Sequence, residues 1–226
     1  MTITAIILSH YKEREGNLKR IVDDLLVGTV KPDKIIIFID DPEIEYEDDR
    51  CTIIKSSKPF FPNIRFALGS IANTDYCFFI DDDLTVRKKT LENFTYYGHC
   101  NTILGLEGNI LASGDSPYTD GKSIDRSDSY NYTDIVIRTY FVPRESLLWG
   151  IQLQIKYPYL PNKCLDDIYL CLGNIYLNGG TNYIIPVGEE TDITELQEGG
   201  VGQSYDGEHY KNRNYVCKFI TDKYRK

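Results

Sequence analysis

The stretch from Tyr76 to Val86 reads Y-C-F-F-I-D-D-D-L-T-V, an apolar run that ends on three consecutive aspartates. An apolar run without polar alternation belongs to a strand buried on both faces, as in a parallel sheet covered by helices. Such a strand ends on acid where its C-terminal tip opens into solvent or into a site. Asp81, Asp82 and Asp83 repel one another: at about 4 Å and an effective dielectric near 20, each adjacent pair costs roughly 4 kcal/mol. The triplet therefore demands a proton, a solvating loop or a cation. A hard divalent cation held by oxygens is the sharpest answer, and a solvated acidic turn after a core strand is the plainer one.

The neighbouring segments alternate between strand and helix. Ile3 to Leu8 reads as a buried strand, Ser9 to Gly16 as a polar turn, and Asn17 to Val27 as an amphipathic helix stopped by Gly28. Lys34 to Ile39 is a second strand that closes on Asp40 and Asp41, Arg50 to Ser56 a third, and Asn63 to Asn73 a helix. This order predicts an α/β fold with a mostly parallel central sheet flanked by helices. Ligands bind such sheets at the carboxyl ends of the strands, so Ser9 to Arg14, Asp40, Asp41 and Asp81 to Asp83 are expected on one rim.

Further on, Arg87 to His99 reads as a helix, Thr102 to Leu106 and Asn109 to Ser113 as short strands, and Ser113 to Asn131 as a polar loop, acceptor-side material in an enzyme. Tyr132 to Val142 reads as extended and Arg144 to Gly150 as a short helix. Leu165 to Leu177 has helical spacing with Asp166 and Asp167 in its first turn, where ordinary capping also favours acid. Gly199, Gly200 and Gly202 interrupt a polar stretch from Glu189 to Ser204, the pattern of a mobile flap, and a helix from Asp206 to Tyr224 follows. On it His209 and Arg213 share a face that either meets solvent or reaches one anionic group.

Composition narrows the classes. A net charge of -9 argues against a general nucleic-acid or anionic-membrane binder. The six cysteines form no C-x-x-C pair, so neither a zinc site nor a disulfide framework is indicated, and reduced thiols in a cytoplasmic protein fit better. No apolar run approaches the roughly 20 residues that span a bilayer, and Thr2 to Leu8 is too short for a signal segment. A soluble domain without membrane insertion is expected, alone or as a module of a longer chain.

Acid at two strand ends, with His209 and Arg213 behind a glycine-rich segment, suits a metal-bridged diphosphate leaving group. These motifs resemble the GT-A glycosyltransferases. Ile80-Asp-Asp-Asp83 after an apolar strand looks like their D-x-D motif, and the chain resembles the exostosin-like family in particular. It is also similar to the small glycosyltransferase domains that chlorella viruses use on their capsid glycans. The resemblance is carried by Tyr11, Asp40, Asn63-Ile-Arg65, Leu165-Asp-Asp-Ile168 and His209-x-x-x-Arg213, in that order. It covers most of the chain, thinly between Ser113 and Tyr130.

The resemblance implies one GT-A domain with a nucleotide-binding part over about the first 100 residues and an acceptor-side part after it. It implies a UDP-sugar donor, a glycan or glycoprotein acceptor and manganese, with magnesium as the alternative ion; its viral side implies work inside an infected host cell. Ser9, Tyr11, Arg14, Asp40, Asn63 and Arg65 would line the nucleotide pocket. Asp81 and Asp82 would face the ribose or donor sugar, Asp83 with Asp81 would hold the metal, and His209 and Arg213 would take the diphosphate. Asp167, with Asp166 beside it, would sit by the anomeric carbon in retaining chemistry. His10, Lys12 and Glu13 depart from the family's residues around Tyr11. Two other readings remain open: Asp81-x-Asp83-x-Thr85 also matches the nucleophile motif of haloacid-dehalogenase-like phosphatases, and the same pocket would serve a non-catalytic sugar or metal binder.

Overall fold

The computed structural model describes residues 1–58, 60, 62–196 and 208–225. Its elements run β1 (Ile3–Ser9), α1 (Glu15–Val27), β2 (Lys34–Ile39), β3 (Thr52–Lys55), α2 (Ile64–Ile71), β4 (Tyr76–Asp81), β5 (Leu84–Val86) and α3 (Thr90–Tyr97). The second half adds β6 (Thr102–Gly105), β7 (Glu107–Ile110), β8 (Lys122–Asp125), β9 (Asn131–Tyr132), β10 (Ile135–Ile137) and β11 (Thr139–Pro143). It closes with α4 (Leu147–Lys156), α5 (Asp166–Tyr176), β12 (Thr181–Ile184), β13 (Ile193–Glu195) and α6 (His209–Tyr224).

Every residue of β1 is buried, because helices cover both faces of the sheet. Side chains alternate between two cores. Ile6, Leu8, Ile36, Phe38, Cys77 and Phe79 pack with residues of α2, α4, α5 and α6. Ala5, Ile7, Ile35, Ile37, Phe78 and Ile80 pack with Leu18, Ile21, Val22 and Leu25 of α1 and with Leu91 and Phe94 of α3. Leu18, Ile21, Val22 and Leu25 recur at helical spacing, which gives α1 the single apolar stripe that this layer needs.

The large sheet has eight strands in the order β3-β2-β1-β4-β11-β6-β12-β9. Pairing is parallel from β3 through β4 and between β6 and β12, and antiparallel at β4-β11, β11-β6 and β12-β9. The chain builds outward from β1 to β2 and β3, then returns to lay β4 on the other side of β1. In open sheets such a reversal, here at the carboxyl ends of β1 and β4, is where a ligand crevice forms. Two small sheets, β10-β7-β8 and β13-β5, stand beside it. Among the described residues, no helix is long and apolar enough to cross a membrane.

The expected α/β layering with a mostly parallel sheet is present, and several local expectations need correction. The polar stretch from Ser113 to Asn131 contains β8, which is held by pairing with β7 rather than by apolar content of its own. The start of the expected flap contains β13, paired with β5 through Ile193, Thr194 and Glu195. The remainder of that flap, with Gly199, Gly200 and Gly202, lies outside the described residues. β12 carried too little apolar alternation to be read. The extended segment from Tyr132 to Val142 breaks at Arg138, whose φ is 65°. The helix expected to stop at Gly150 runs on to Lys156, because that glycine serves close packing: a Cβ there would sit 3.1 Å from the Leu170 Cα.

The same contact is tighter from the other side, where a Cβ on Gly173 would lie 2.6 Å from the Trp149 carbonyl oxygen and 2.9 Å from the Gly150 nitrogen. Backbone atoms on a neighbouring helix cannot swing aside. Gly173→Ala should therefore destabilise the fold by about 1–3 kcal/mol, read as a lower urea midpoint at unchanged slope. An unaltered midpoint would mean that α4 and α5 do not meet in this way.

Candidate functional site

The reversal of strand order between β1 and β4 brings the turn after β1 against the aspartate triplet. Arg14 ends a short 3-10 turn, Lys12–Arg14, and its guanidinium meets Asp82 at 2.7 Å and Asp83 at 3.4 Å. Its other face lies 5.2 Å from the Tyr11 ring. Asp81 continues the side-chain alternation of β4 onto the face of Cys77 and Phe79, which is the face covered by α2 and α5. There Arg65, in the first turn of α2, meets Asp81 at 3.0 Å and Asp166 at 3.2 Å while lying over the Tyr140 ring.

Asp166 and Asp167 open α5, where carboxylates suit the helix dipole. Asp167 accepts the Ile168 N–H and two bonds from Arg213 of α6, whose guanidinium also stacks 4.1 Å from the Tyr118 ring. A charge relay thus links five elements. It runs from Arg14 through the triplet to Arg65 and Asp166, and ends at Asp167 and Arg213. Asp81 is its open member, with a side chain 32 % exposed against 4 % for Asp82 and 11 % for Asp83.

Burial sets the protonation of this cluster. It pushes the Asp83 carboxyl up to about 6, with the Asp81 charge adding to the effect against Arg14 and Arg138. Burial also raises Asp82 against the opposing charge of Arg14, and raises Asp166 against Arg65. For Arg65 and Arg213, burial alone would lower the pKa, but Asp166 and Asp81 in one case and Asp167 in the other outweigh it and keep both guanidiniums charged. Several buried polar atoms here have no hydrogen-bond partner among the described residues: Ser9 Oγ, His10 Nε2, Asn63 Oδ1, Arg65 Nη1, Asp82 Oδ2, Asp83 Oδ1 and Arg213 Nε.

Other expected residues are placed as follows. Asp40 is buried, with one oxygen 2.5 Å from His10 Nδ1 and the other accepting the Phe60 N–H. Asn63 donates to the Asn162 carbonyl. His209 stands half-buried at the start of α6 with its ring edge on Tyr210, whereas Arg213 is buried and committed to Asp167, so the two do not present one free cationic face. Thr85, third member of the phosphatase-like motif, donates to Asp24 on α1. Among the described residues, no three acidic, histidine or cysteine side chains form a ready-made metal cluster.

Sequence reasoning missed Glu107, Arg138 and Glu195. Arg138 reaches Asp83 at 3.8 Å, Glu107 at 3.7 Å and Glu195 at 2.6 Å. A signal existed in Glu107 and Arg138, single charges set inside the apolar runs I-L-G-L-E-G and I-V-I-R-T-Y. On fold and geometry the protein belongs to the mixed α/β class with an eight-stranded, mostly parallel sheet flanked by helices, and it gathers a cluster of charged side chains at the point where strand order reverses. No protein-family model matches the chain, and a search of curated proteins finds no match.

The Asp83 shift makes stability depend on pH with a definite sign. Between 3.8 and about 6 the folded protein keeps a proton on Asp83 that the unfolded chain has released, so this group lowers unfolding free energy as pH rises. Asp83→Asn removes that slope. The variant should gain stability relative to the parent between about pH 4 and pH 7, measured by urea unfolding at each pH. Parallel stability curves for the two proteins would contradict the placement of Asp83.

Proposed function

We propose that the protein is a divalent-cation-dependent glycosyltransferase of GT-A type that transfers a sugar from a UDP-sugar to a glycan acceptor, with retention. The observation that carries this reading is the set of buried polar atoms on Arg65, Asp82, Asp83 and Arg213, all members of the linked charge cluster, that make no hydrogen bond among the described residues. Buried polar groups are ordinarily satisfied, and several left without a hydrogen bond in one charge cluster suit a polar ligand that completes them. Donors on arginine and acceptors on aspartate call for a ligand that brings both anionic oxygens and positive charge. A diphosphate with its cation does so.

The residues fit a hard cation. The five carboxylates Asp81, Asp82, Asp83, Asp166 and Asp167, when ionised, exceed the guanidiniums of Arg14, Arg65 and Arg213 by two charges, and by one when Arg138, which faces Asp83 and is shared with Glu107 and Glu195, is counted. Asp83 and Asp81 would hold manganese or magnesium, with diphosphate and water oxygens completing the shell. The ion would supply neutralisation of charge on the leaving diphosphate.

The protein's own groups do the rest. Arg65 Nη1 and Arg213 Nε each keep a spare N–H that can be donated to phosphate oxygens while the pairs to Asp81 and Asp167 persist. Asp167, fixed by Arg213 and by the Ile168 N–H, offers fixed negative charge to a sugar cation as the glycosidic bond breaks. Tyr11, whose ring lies beside Arg14, would meet the base. Burial of these groups excludes water, which limits loss of donor to hydrolysis.

A thermal-shift panel of UDP, UDP-sugars and other nucleotide-sugars, each with and without Mn²⁺, tests the reading. UDP should raise Tm only with the metal, and Asp83→Asn should abolish the shift. Asp167→Asn should keep the shift and lower transfer by about 100-fold or more. A Tm rise with phosphomonoester analogues and Mg²⁺, and none with nucleotides, would replace this reading with the phosphatase.

A further inference from the structure

Beside the crevice, Glu107, Ser123, Asp125, Arg126, Arg138 and Glu195 line a cavity of about 410 Å³ with Ile124 and Ile137 in its wall. In the β10-β7-β8 sheet, Ile137, Glu107 and Asp125 stand directly opposite one another, so their side chains share a face. The next residues, Arg126 and Arg138, would ordinarily point to the other face. Both instead have positive φ, 31° and 65°, the re-aiming device of a bulged strand, and both return to the same cavity. Two large residues held in an unfavourable backbone region at one cavity mark a place where function sustains strain.

Three carboxylates, Glu107, Asp125 and Glu195, face two guanidiniums there, and both guanidiniums are bonded within the cavity. Arg138 makes a two-pronged pair with Glu195 at 2.8 and 2.6 Å, and Arg126 bonds Glu107 at 3.1 Å and Glu195 at 2.5 Å. Glu107 is the deep member and Glu195 the open one, with side chains 9 % and 47 % exposed. A free anion would meet these carboxylates, and a bare cation the two guanidiniums. A neutral polyol meets neither penalty, since each hydroxyl can accept from a guanidinium and donate to a carboxylate. The isoleucines supply an apolar wall for the C–H face of a ring, and the volume lies within the range of about 300–1,000 Å³ typical of small-ligand sites.

We infer that this cavity is a binding site for an uncharged, hydroxyl-rich sugar, and, resting on the glycosyltransferase reading, that it holds the acceptor. Arg138 joins the two sites, since the guanidinium that pairs with Glu195 also faces Asp83 at 3.8 Å. An acceptor bound at Glu107 and Arg126 therefore lies next to the place where the donor would react.

Saturation-transfer NMR with methyl glycosides of neutral hexoses and pentoses, with methyl glucuronide and inorganic phosphate as anionic probes, tests the inference. At least one neutral glycoside should bind the parent protein, and Arg126→Asn should weaken it by about tenfold or more. Asparagine tolerates the left-handed backbone, so the fold is kept. UDP with Mn²⁺ should bind the variant as it binds the parent. Ser123→Phe, which fills the cavity from an exposed strand position, should block the glycoside as well. No glycoside binding, undiminished binding in both variants, or a preference for the anionic probes would overturn the site. Glycoside binding that Arg126→Asn weakens, in a protein that ignores UDP, would uphold the cavity and refute the donor reading.

Discussion

The site depends first on Arg65. Its guanidinium joins the tip of a central strand, at Asp81, to the first turn of a helix on the covering layer, at Asp166, and it does so fully inside the protein. A pair in that setting is no simple source of stability, because desolvation offsets most of the attraction. Its effect is on geometry. Breaking one partner would leave buried charge uncompensated, at about 3–5 kcal/mol, so strand tip and helix start are held in one arrangement. Arg213 does the same for Asp167 from the opposite side, with Tyr118 stacked against it.

With its arginines committed in this way, the crevice is left with acid in surplus and with hydrogen-bonding atoms unmet. Desolvation keeps Asp83 protonated well above the usual carboxylate range, which is how an isolated protein relieves such a cluster. A cation and a polyanion relieve it better together than either alone, since one satisfies the aspartates and the other the spare guanidinium N–H groups. This pairing is the physical basis for reading the crevice as a donor site. The cavity across Arg138 has a different character, since Arg126 and Arg138 are already paired with Glu107 and Glu195, and so suits a partner that brings only hydroxyls.

The sheet and the triplet were legible because both follow from local pattern. An unbroken apolar run means burial on two faces, and its C-terminal tip is where open sheets bind ligands, so β4 and Asp81 to Asp83 could be placed from their own residues. Arg65 and Asp166 could be named as site residues only from the family resemblance, and their ion pair could not be read at all. The pairing of Arg213 with Asp167 spans 46 residues, and no local rule connects a helix interior to a helix start at that separation. β8, β12 and β13 are short and polar, held by neighbours rather than by their own propensity. Arg126 and Arg138 escaped notice because positive φ reverses the alternation from which facing residues are read.

The central claim is that the crevice at Asp81 to Asp83 binds a divalent cation together with a nucleoside diphosphate. Diffraction from crystals grown with UDP and Mn²⁺, collected at the manganese absorption edge, addresses it directly. The expected result is one anomalous peak at direct-ligand distance from an Asp83 or Asp81 carboxylate oxygen, with diphosphate oxygens on the same ion and within hydrogen-bonding reach of Arg65 or Arg213. Manganese and UDP located elsewhere on the protein, with the Arg14, Arg65 and Arg213 pairs undisturbed around an empty crevice, would contradict it.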